Sequence, residues 1–339
     1  MAVYTVIDGA QLQALLSSLN LGRLRAFTGV ADGVENTTYF VTTEPTRTNS
    51  TLSDPREWVL TILETDDSSQ TTFCTALMAY LRRAGLPVPL LAGDRNRNTI
   101  HHIVGKSAML ASRASGAHPD DISADHCAAI GQFLGQMHLA TVAYPYQRVN
   151  PFGLNWASTA IAALPREEES SRCLINEQLL RWRKLDKRAN DLPVGVIHGD
   201  LFCDNALFVD GKLSAVIDFQ SACTDWLLLD VAIAINDWSS TEDGQLDTKL
   251  ASALLDGYQT QRVFTASERE VWQDVLCIAA TRFWLSRLLS RRQDPAGGGI
   301  ELTGRLGKDP EQYARILRHR MNDVVALPRS LFDPQGPVM

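Results

Sequence analysis

One continuous stretch, residues 196–219, constrains the fold of this chain more than any other. It reads Val-Ile-His-Gly-Asp-Leu-Phe-Cys-Asp-Asn-Ala-Leu-Phe-Val-Asp-Gly-Lys-Leu-Ser-Ala-Val-Ile-Asp-Phe. Asp210-Gly211, set between two runs of strand-forming residues, is a strong signal for a two-residue hairpin turn. The hairpin would hold Asn205 at the start of one strand and Asp218 at the end of its partner, with Asp200 a tight loop earlier. Three oxygen-bearing side chains are therefore expected at one end of a two-stranded ribbon.

This arrangement suits phosphoryl transfer. That reaction needs Mg²⁺ held against the phosphates and a carboxylate that orients the attacking hydroxyl. In a kinase catalytic loop the base Asp precedes a metal-binding Asn by five residues, and a second metal-binding Asp follows on the next strand. Asp200, Asn205 and Asp218 have this order and spacing. Each of them alone is more typical of a turn, but together with the hairpin they favour a kinase, with Asp200 as base and the other two as metal ligands.

Two further residues are predicted to support this loop. His198 could act as a base, but beside Asp200 it more plausibly braces the backbone. Asp230 interrupts an otherwise apolar segment, residues 226–235, and a buried carboxylate there needs donors, which the loop amides could supply. Asp225 is predicted to cap the N-terminus of the same helix.

The chain is 339 residues long, which favours two lobes over one compact domain. Residues 1–111 are strand-rich: 36–43 and 58–63 are predicted strands, separated by a long polar loop. A helix containing residues 73–84 should follow and end at Gly85, before Pro87. Residues 112–118 are predicted to form a hinge, and residues 119–339 a larger, mainly helical lobe. The fold class is therefore expected to be α+β.

Two helix starts are predicted in the second lobe from capping patterns. Ser123 can cap a helix with an apolar stripe through Met137. Ser267-x-x-Glu270 has the spacing of a capping box and would open a long helix through Leu288.

Composition narrows the function classes. Hydrophobic residues make up 45% and charged residues 21%, which excludes a disordered chain, and the net charge of -7 argues against nucleic acid or an anionic membrane as partner. No apolar run reaches the roughly 18–20 residues of a membrane span. The N-terminus lacks the features of an export signal, and the six cysteines lack metal-ligand spacing. A cytoplasmic protein with reduced thiols is expected.

The His-Gly-Asp loop with a downstream Ile-Asp-Phe resembles the aminoglycoside phosphotransferase/choline kinase superfamily. Within it, the chain resembles the bacterial homoserine kinase branch from end to end. The motifs that carry this closer resemblance are Met1-Ala2-Val3-Tyr4-Thr5, Gly33-Val34-Glu35-Asn36-Thr37-Thr38-Tyr39-Phe40, Leu60-Thr61-Ile62-Leu63-Glu64, Gly85-Leu86-Pro87-Val88-Pro89, Ala222-Cys223-Thr224-Asp225, Asn236-Asp237-Trp238, Arg282-Phe283-Trp284-Leu285-Ser286-Arg287-Leu288 and Lys308-Asp309-Pro310.

The resemblance implies a bilobal protein-kinase-like fold, with an antiparallel-sheet lobe that binds nucleotide. It also implies Mg²⁺ and ATP as cofactors and phosphorylation of the L-homoserine hydroxyl, a step toward threonine. Residues 29–38 carry over as the loop that covers the phosphates, and Thr61 stands where related kinases place a Lys. The nucleotide-binding residues so implied are Gly33, Asn36, Thr37, Thr38 and Thr61.

A zwitterionic acceptor also needs a cation for its carboxylate and an anion for its ammonium group. Arg282 and Arg287 interrupt an apolar helix face and are the candidates for the carboxylate. Asp204 or Asp225 could meet the ammonium group.

Two alternatives stay open at this point. Gln220-Ser221 replaces the aromatic pair common after the Ile-Asp-Phe motif, so the acceptor could be another small alcohol, such as choline, ethanolamine or an aminoglycoside. The absent nucleotide Lys also allows a kinase-like module that binds without turnover, although Asp200, Asn205 and Asp218 together argue against it. The sequence leaves the oligomeric state open.

Overall fold

The computed structural model describes residues 4–30, 36–44, 57–65, 68–164, 168–187, 191–293, 309–323 and 326–328. These residues divide into two compact units, one that ends at Ser115 and one that begins at Gly116. Each unit is described in turn.

The first unit is built on an antiparallel sheet of five strands in the order β1-β2-β3-β5-β4. In chain order its elements are α1 (Gly9–Ser18), β1 (Arg23–Gly29), β2 (Thr37–Glu44), β3 (Glu57–Ile62), α2 (Ser68–Arg83), β4 (His101–Ile103) and β5 (Lys106–Ser112). The predicted strands 36–43 and 58–63 are confirmed to within one residue. Residues 45–56 of the predicted loop between them lie outside the described residues.

The core of this unit follows from the alternation along the central strands. On β2, Tyr39 and Val41 point to the buried face, and on β3, Leu60 and Ile62 do the same. Leu16 of α1 completes the cluster with its neighbours on that helix. The opposite face of β2 and β3 carries the less buried residues of each strand, because successive side chains in a strand alternate between faces.

Helix α2 ends where the sequence predicts. Gly85 adopts a φ of 86°, which glycine accepts at no steric cost, and its N–H donates to the carbonyl of Arg82. The N–H of Leu86 reaches the carbonyl of Leu81. Ser112, the first residue of the predicted hinge, is the last residue of β5; the hinge role of residues 112–118 stays a prediction.

The second unit is mainly helical, with two short antiparallel strand pairs, β6 with β9 and β7 with β8. Its elements are α3 (Ala124–Ala140), α4 (Leu154–Ala160), α5 (Glu169–Asp186), β6 (Val194–Ile197), β7 (Ala206–Val209), β8 (Lys212–Val216), β9 (Cys223–Trp226), α6 (Leu227–Trp238), α7 (Thr248–Gln259), α8 (Ala266–Gln293) and α9 (Pro310–Arg320). A sheet-based unit followed by a larger helical one is the predicted α+β class. Among the described residues, no helix combines the length and the apolar character needed to cross a membrane.

Helices α3 and α7 approach so closely that their backbones touch at glycines. A Cβ atom on Gly131 would lie 2.0 Å from the carbonyl oxygen of Leu254, and one on Gly257 would lie 2.2 Å from that of Ala128. Glycine is therefore required at both positions. The close approach sets His138 of α3 beside Tyr258 of α7, with 2.8 Å between Nδ1 and the hydroxyl oxygen.

The predicted cap of α3 is confirmed, because the hydroxyl of Ser123 accepts the N–H of His126. The predicted Ser267–Glu270 capping box is wrong. Helix α8 begins at Ala266, and the box is formed two residues earlier: Glu268 N–H donates to Thr265 Oγ1, and Thr265 N–H donates to Glu268 Oε2. The two patterns overlap in sequence, and Glu268 is selected because its buried carboxylate also pairs with Arg262.

The predicted N-cap of α6 is also wrong. Asp225 lies in β9, and Trp226 precedes the first helical residue without a side-chain cap. The carboxylate of Asp225 accepts hydrogen bonds from the amide of Asn150, at 2.6 Å, and from the N–H of Trp226, at 2.7 Å. The N–H of Leu227 is satisfied instead by the carbonyl of Pro193.

Candidate active site

The hairpin predicted at Asp210-Gly211 is confirmed. Strands β7 and β8 pair from Ala206–Val216 to Val209–Lys212, and both turn residues have positive φ, 48° and 73°. Such a pair of values matches the twist of the flanking strands. The N–H of Ile217 donates to the carbonyl of Asn205 at 2.9 Å, so the open end of the hairpin is closed between Asn205 and the residue before Asp218.

Asp200 and Asn205 are in direct contact. The amide nitrogen of Asn205 donates to the Asp200 backbone carbonyl at 2.8 Å and to its carboxylate at 3.2 Å, and both residues are buried. With its nitrogen engaged in this way, the Asn205 side chain presents its oxygen as the remaining ligand atom. Asp218 adopts a left-handed conformation, with φ of 60° and ψ of 66°, which Asp tolerates better than most residues.

A second carboxylate, that of Asp230, holds the backbone of the loop before Asp200. One oxygen accepts the N–H of Gly199 and the other that of His198, both at 2.8 Å. His138 Nε2 lies 3.2 Å from the second oxygen. Burial acts to raise the pKa of Asp230, but the bonds from His138 and Gly199 and the charges nearby hold it below its ordinary value. A fully buried, ionised carboxylate thus fixes two successive peptide groups.

The hydrogen-bond chain continues beyond His138. Tyr258 accepts a bond from Arg262 at 3.0 Å, and Arg262 in turn pairs through two nitrogens with Glu268, at 2.9 and 3.1 Å. Tyr258 Oη lies 2.8 Å from His138 Nδ1, and His138 Nε2 lies 3.2 Å from Asp230, so His138 joins the Arg262–Tyr258 pair to the Asp230 carboxylate.

Sequence reasoning did not find this chain. His138, Tyr258, Arg262 and Glu268 stand in helices or at helix ends where polar residues are usual, and nothing local distinguishes them. Their only signal is that a His and a Tyr fall on apolar helix stripes, which becomes informative once the helices are known to pack together.

Further bonds hold residues 198–205, the predicted catalytic loop. The indole N–H of Trp238 donates to the Leu201 carbonyl at 3.0 Å, and the Cys203 N–H donates to Asp237 at 2.8 Å. His198 Nε2 lies 3.1 Å from the Ile217 carbonyl oxygen, and its ring packs on Phe219 at 4.7 Å between centroids. The loop is therefore held from both the hairpin and α6.

The segment after Asp218 is also held in place. Arg148 donates to the carbonyls of Gln220 and Ala222, at 2.9 and 2.7 Å. Gly199 packs against the same segment: its φ is 75°, and a Cβ atom there would lie 2.8 Å from the Ser221 carbonyl oxygen. Gly199 is thus required both by its conformation and by this close approach.

Of the four candidates for acceptor binding, Arg282 and Arg287 lie in α8, and Asp204 and Asp225 lie outside it. Arg282 is buried, donates to the carbonyl of Gly199 at 2.6 Å and feels the charge of Asp225. Arg287 donates to the Asp309 carbonyl and the Gln312 side chain, at 3.2 and 2.8 Å. Burial lowers the pKa of Arg287, and the charges of Asp237 and Asp204 are among those that oppose this shift. Burial raises the pKa of Asp225, which its bonds to Asn150 and Trp226 partly oppose.

The nucleotide candidates lie in the first unit. Thr38 and Thr61 are paired across β2 and β3, on the face opposite the buried core. Thr37 faces the other way and donates to Glu64 at 2.6 Å. Asn36 accepts the N–H of Glu64 at 3.2 Å. Gly33 and the rest of residues 31–35 lie outside the described residues.

Glu64 is the centre of a polar cluster that the sequence did not reveal. Its carboxylate accepts the hydroxyls of Thr5, at 2.7 Å, and Thr37, and it forms an ion pair with Lys106 of β5. Burial would raise the pKa of Glu64, but the bonds from Lys106 and the two hydroxyls lower it. The cluster ties the start of the described chain to β2, to β5 and to the segment that follows β3.

Within the described residues, no group of three or more His, Cys, Asp and Glu side chains is arranged to hold a metal ion. Asp218 and the amide oxygen of Asn205 are hard oxygen donors on the segments that the Ile217–Asn205 backbone bond joins. Such a set fits a divalent cation that takes its other ligands from phosphates and water.

Comparison with known proteins identifies the family. Residues 26–264 match the phosphotransferase enzyme family. The chain belongs to this family. It is 38% identical to a homoserine kinase of Pseudomonas aeruginosa over 332 residues, which cover 98% of this chain and 100% of the relative. It is also 38% identical to a homoserine kinase of Methylobacillus flagellatus, over 94% of this chain and 95% of the relative. The family match shows that the chain is an enzyme. The match to the two relatives extends over 95% or more of each of them.

Solved structures share its fold. An amicoumacin kinase superposes with a TM-score of 0.65 at 17% identity, over 92% of this chain and 93% of the kinase. A spectinomycin phosphotransferase superposes with a TM-score of 0.61 at 12% identity, over 94% and 96%. These similarities confirm the predicted protein-kinase-like fold, and at such low identity they bear on the fold alone.

Proposed function

We propose that this phosphotransferase transfers the γ-phosphate of ATP to the side-chain hydroxyl of L-homoserine and so forms O-phospho-L-homoserine, a step toward threonine. The observation that carries the proposal is the 38% identity to homoserine kinases over essentially the whole chain. The antibiotic kinases of the same fold are only 12–17% identical. Since the fold hosts several acceptors, whole-chain identity is the better guide to substrate.

In the proposed mechanism Asp200 accepts the hydrogen bond of the acceptor hydroxyl and takes its proton as the new O–P bond forms. The bonds from Asn205 fix the orientation of the Asp200 carboxylate before the acceptor arrives. Asn205 and Asp218 would hold Mg²⁺, which when bound neutralises charge on the transferred phosphoryl group. His198 and Asp230 act through the backbone of the loop.

The nucleotide is assigned to the first unit. We propose that Thr38 and Thr61, which share one face of the sheet, contact ATP together with Asn36 and Gly33. Thr61 supplies a neutral hydroxyl where related kinases carry a Lys. Thr37 supports this region through its bond to Glu64.

For the acceptor, Arg287 and Asp204 are the preferred pair. They offer the opposite charges that a zwitterionic amino acid requires, and the charge of Asp204 is one of those that act on Arg287. Arg282 is committed to the loop itself, since its guanidinium donates to the Gly199 carbonyl, whereas the bonds of Arg287 go to Asp309 and Gln312, outside that loop. The carboxylate of Asp225 accepts two hydrogen bonds, from Asn150 and Trp226. We place the reaction in the cytoplasm, in keeping with the composition of the chain.

The proposal is tested by ADP release from Mg-ATP with L-homoserine, choline, ethanolamine and an aminoglycoside as acceptors. Turnover is expected with L-homoserine. Asp200→Asn should lower kcat by about 10²–10⁴-fold while ATP binding persists, because only the base is lost. Turnover with a different acceptor would support the roles proposed for the catalytic loop and refute L-homoserine as the substrate. Bound ATP without turnover on any acceptor would favour a non-catalytic module.

A further inference from the structure

Arg282 occupies an unusual position for a charged side chain. It lies within helix α8 and is only 3% exposed. Its guanidinium stands 4.7 Å from the ring centroid of Phe152 and 4.5 Å from that of Phe283. A buried cation is costly unless hydrogen bonds, opposite charges or aromatic faces compensate it. The two rings supply part of that compensation and enclose the group.

The hydrogen-bond acceptor of this cation is a backbone atom of the catalytic loop. Arg282 Nη1 donates to the carbonyl oxygen of Gly199 at 2.6 Å. The N–H of the same residue donates to Asp230 at 2.8 Å. Gly199 is therefore held at both of its polar backbone atoms, by an anion of α6 on one side and a cation of α8 on the other.

The bonded carbonyl belongs to the peptide group that joins Gly199 to Asp200. A peptide group is planar, so fixing its oxygen fixes the orientation of the Asp200 N–H and the position of the Asp200 Cα, which carries the side chain. A carboxylate that must accept a proton from a bound alcohol is sensitive to small displacements, because a misplacement of about 1 Å can lower a rate about 10²-fold.

We propose that Arg282 is a positioning residue for the phosphoryl transfer: it clamps the Gly199–Asp200 peptide and so aims the base, and it does not bind the acceptor carboxylate. The inference rests on the proposed function to the extent that Asp200 is the base. It assigns the two arginines of α8 different tasks, although they are separated by only five residues.

Arg287 is the natural comparison. Its guanidinium lies 4.3 Å from the ring centroid of Tyr313, and its bonds go to Asp309 and Gln312 rather than to the catalytic loop. The Nε–H of Arg282 has no acceptor among the described residues, so acceptor binding by Arg282 is the rival role that the experiment has to separate.

The test measures kcat and KM for Arg282→Met, Arg282→Lys and Arg287→Met. It uses L-homoserine, 3-aminopropan-1-ol, which is homoserine without its carboxylate, and ATP hydrolysis with no acceptor. Arg282→Met should lower kcat on the order of 10²-fold on both acceptors, lower the hydrolysis rate as well, and leave KM for L-homoserine within about 2-fold. Arg282→Lys should recover part of kcat, since an ammonium group can still donate to the Gly199 carbonyl. Arg287→Met should raise KM for L-homoserine alone.

Arg320→Met serves as the control for stability. Arg320 is fully buried and bonds to Asn236 and Ser240, away from the catalytic loop. Its loss should lower the unfolding midpoint with kcat retained. If Arg282→Met does not fold, the kcat and KM of Arg282→Lys decide the question.

A loss in the Arg282 variants that is confined to L-homoserine and appears as a raised KM would overturn the inference and leave the proposed function standing. If the wild-type enzyme instead phosphorylates another acceptor, the proposed function fails. The same comparison on that acceptor and on ATP hydrolysis then still tests Arg282.

Discussion

Each of the two units contains a carboxylate that joins distant segments, and the two carboxylates differ in how deeply they are buried. Asp230 of the second unit is fully buried and joins α6 to α3 and to the catalytic loop. Glu64 of the first unit keeps 15% of its side chain exposed and joins Thr5, Thr37 and Lys106, whose own side chain is 39% exposed.

The difference in burial predicts how much the bonds of each cluster contribute to stability. In a dry interior an unpaired charge is expensive, so every partner of Asp230 is needed and the loop has one stable arrangement. Near the surface, water can replace a lost partner, so the bonds around Glu64 contribute less. A deeply buried carboxylate holds the loop that contains Asp200, and a less buried one bonds to Thr37, one of the predicted nucleotide-binding residues.

The largest effect is expected for Asp230→Ala. The change leaves two backbone amides and His138 without their acceptor, so the free energy of unfolding should fall by about 3–5 kcal/mol. Chemical denaturation followed by circular dichroism measures this, with Glu64→Ala as the matched variant in the first unit. A loss for Asp230→Ala no larger than that for Glu64→Ala would remove the contrast between the two clusters.

His138→Phe should have the next largest effect. It fills the space of the imidazole but leaves Tyr258 and Asp230 each short of a bond, which should lower stability by about 1–3 kcal/mol and also lower kcat. His101→Phe is the control, because His101 is also buried and contacts the Ala92 carbonyl of the first unit at 2.9 Å. Its stability should fall while kcat is retained. Equal kcat values for the two variants would contradict a link from His138 to the loop.

Thr265→Ala tests the far end of the buried chain. Thr265 caps α8 and bonds to Glu268, so its loss should lower stability by about 1 kcal/mol. Ser267→Ala, at the position that the sequence suggested, should change stability by less than about 0.5 kcal/mol. Thermal unfolding of the two variants distinguishes the two caps, and the reverse order would restore the Ser267–Glu270 capping box.

The smallest effect is expected at the exposed cluster. Lys106→Met should lower stability by about 0–1 kcal/mol, because its side chain is partly in water. The pKa of Glu64 is lowered on folding, so its contribution is present above the ordinary Glu pKa and is lost as the pH falls through the folded value. Wild type and Glu64→Gln should therefore differ at pH 7 and converge as the pH falls below the ordinary Glu pKa of about 4.3 and through the lower folded value. A difference that persists at low pH would show that ionisation of Glu64 contributes nothing.

The sequence by itself determined the features that depend on residues close to one another along the chain. Asp210-Gly211 specified the turn, the β-branched and aromatic residues of 36–43 and 58–63 specified two strands, and Gly85 specified the end of α2. The order and spacing of Asp200 and Asn205 were enough to predict a kinase loop, because a tight loop and a hairpin leave few ways to arrange them.

Only the tertiary structure decided which distant partners these residues meet. His138 and Asp230 are 92 residues apart, and His138 and Tyr258 are 120 apart, and glycine contacts between α3 and α7 bring the second pair together. Packing likewise turned Asp225 away from its predicted cap, chose Thr265 over Ser267 and directed Arg282 to Gly199. A capping pattern or an arginine on an apolar face states what a residue can bond. Which bond forms depends on the partners that folding brings within about 3 Å.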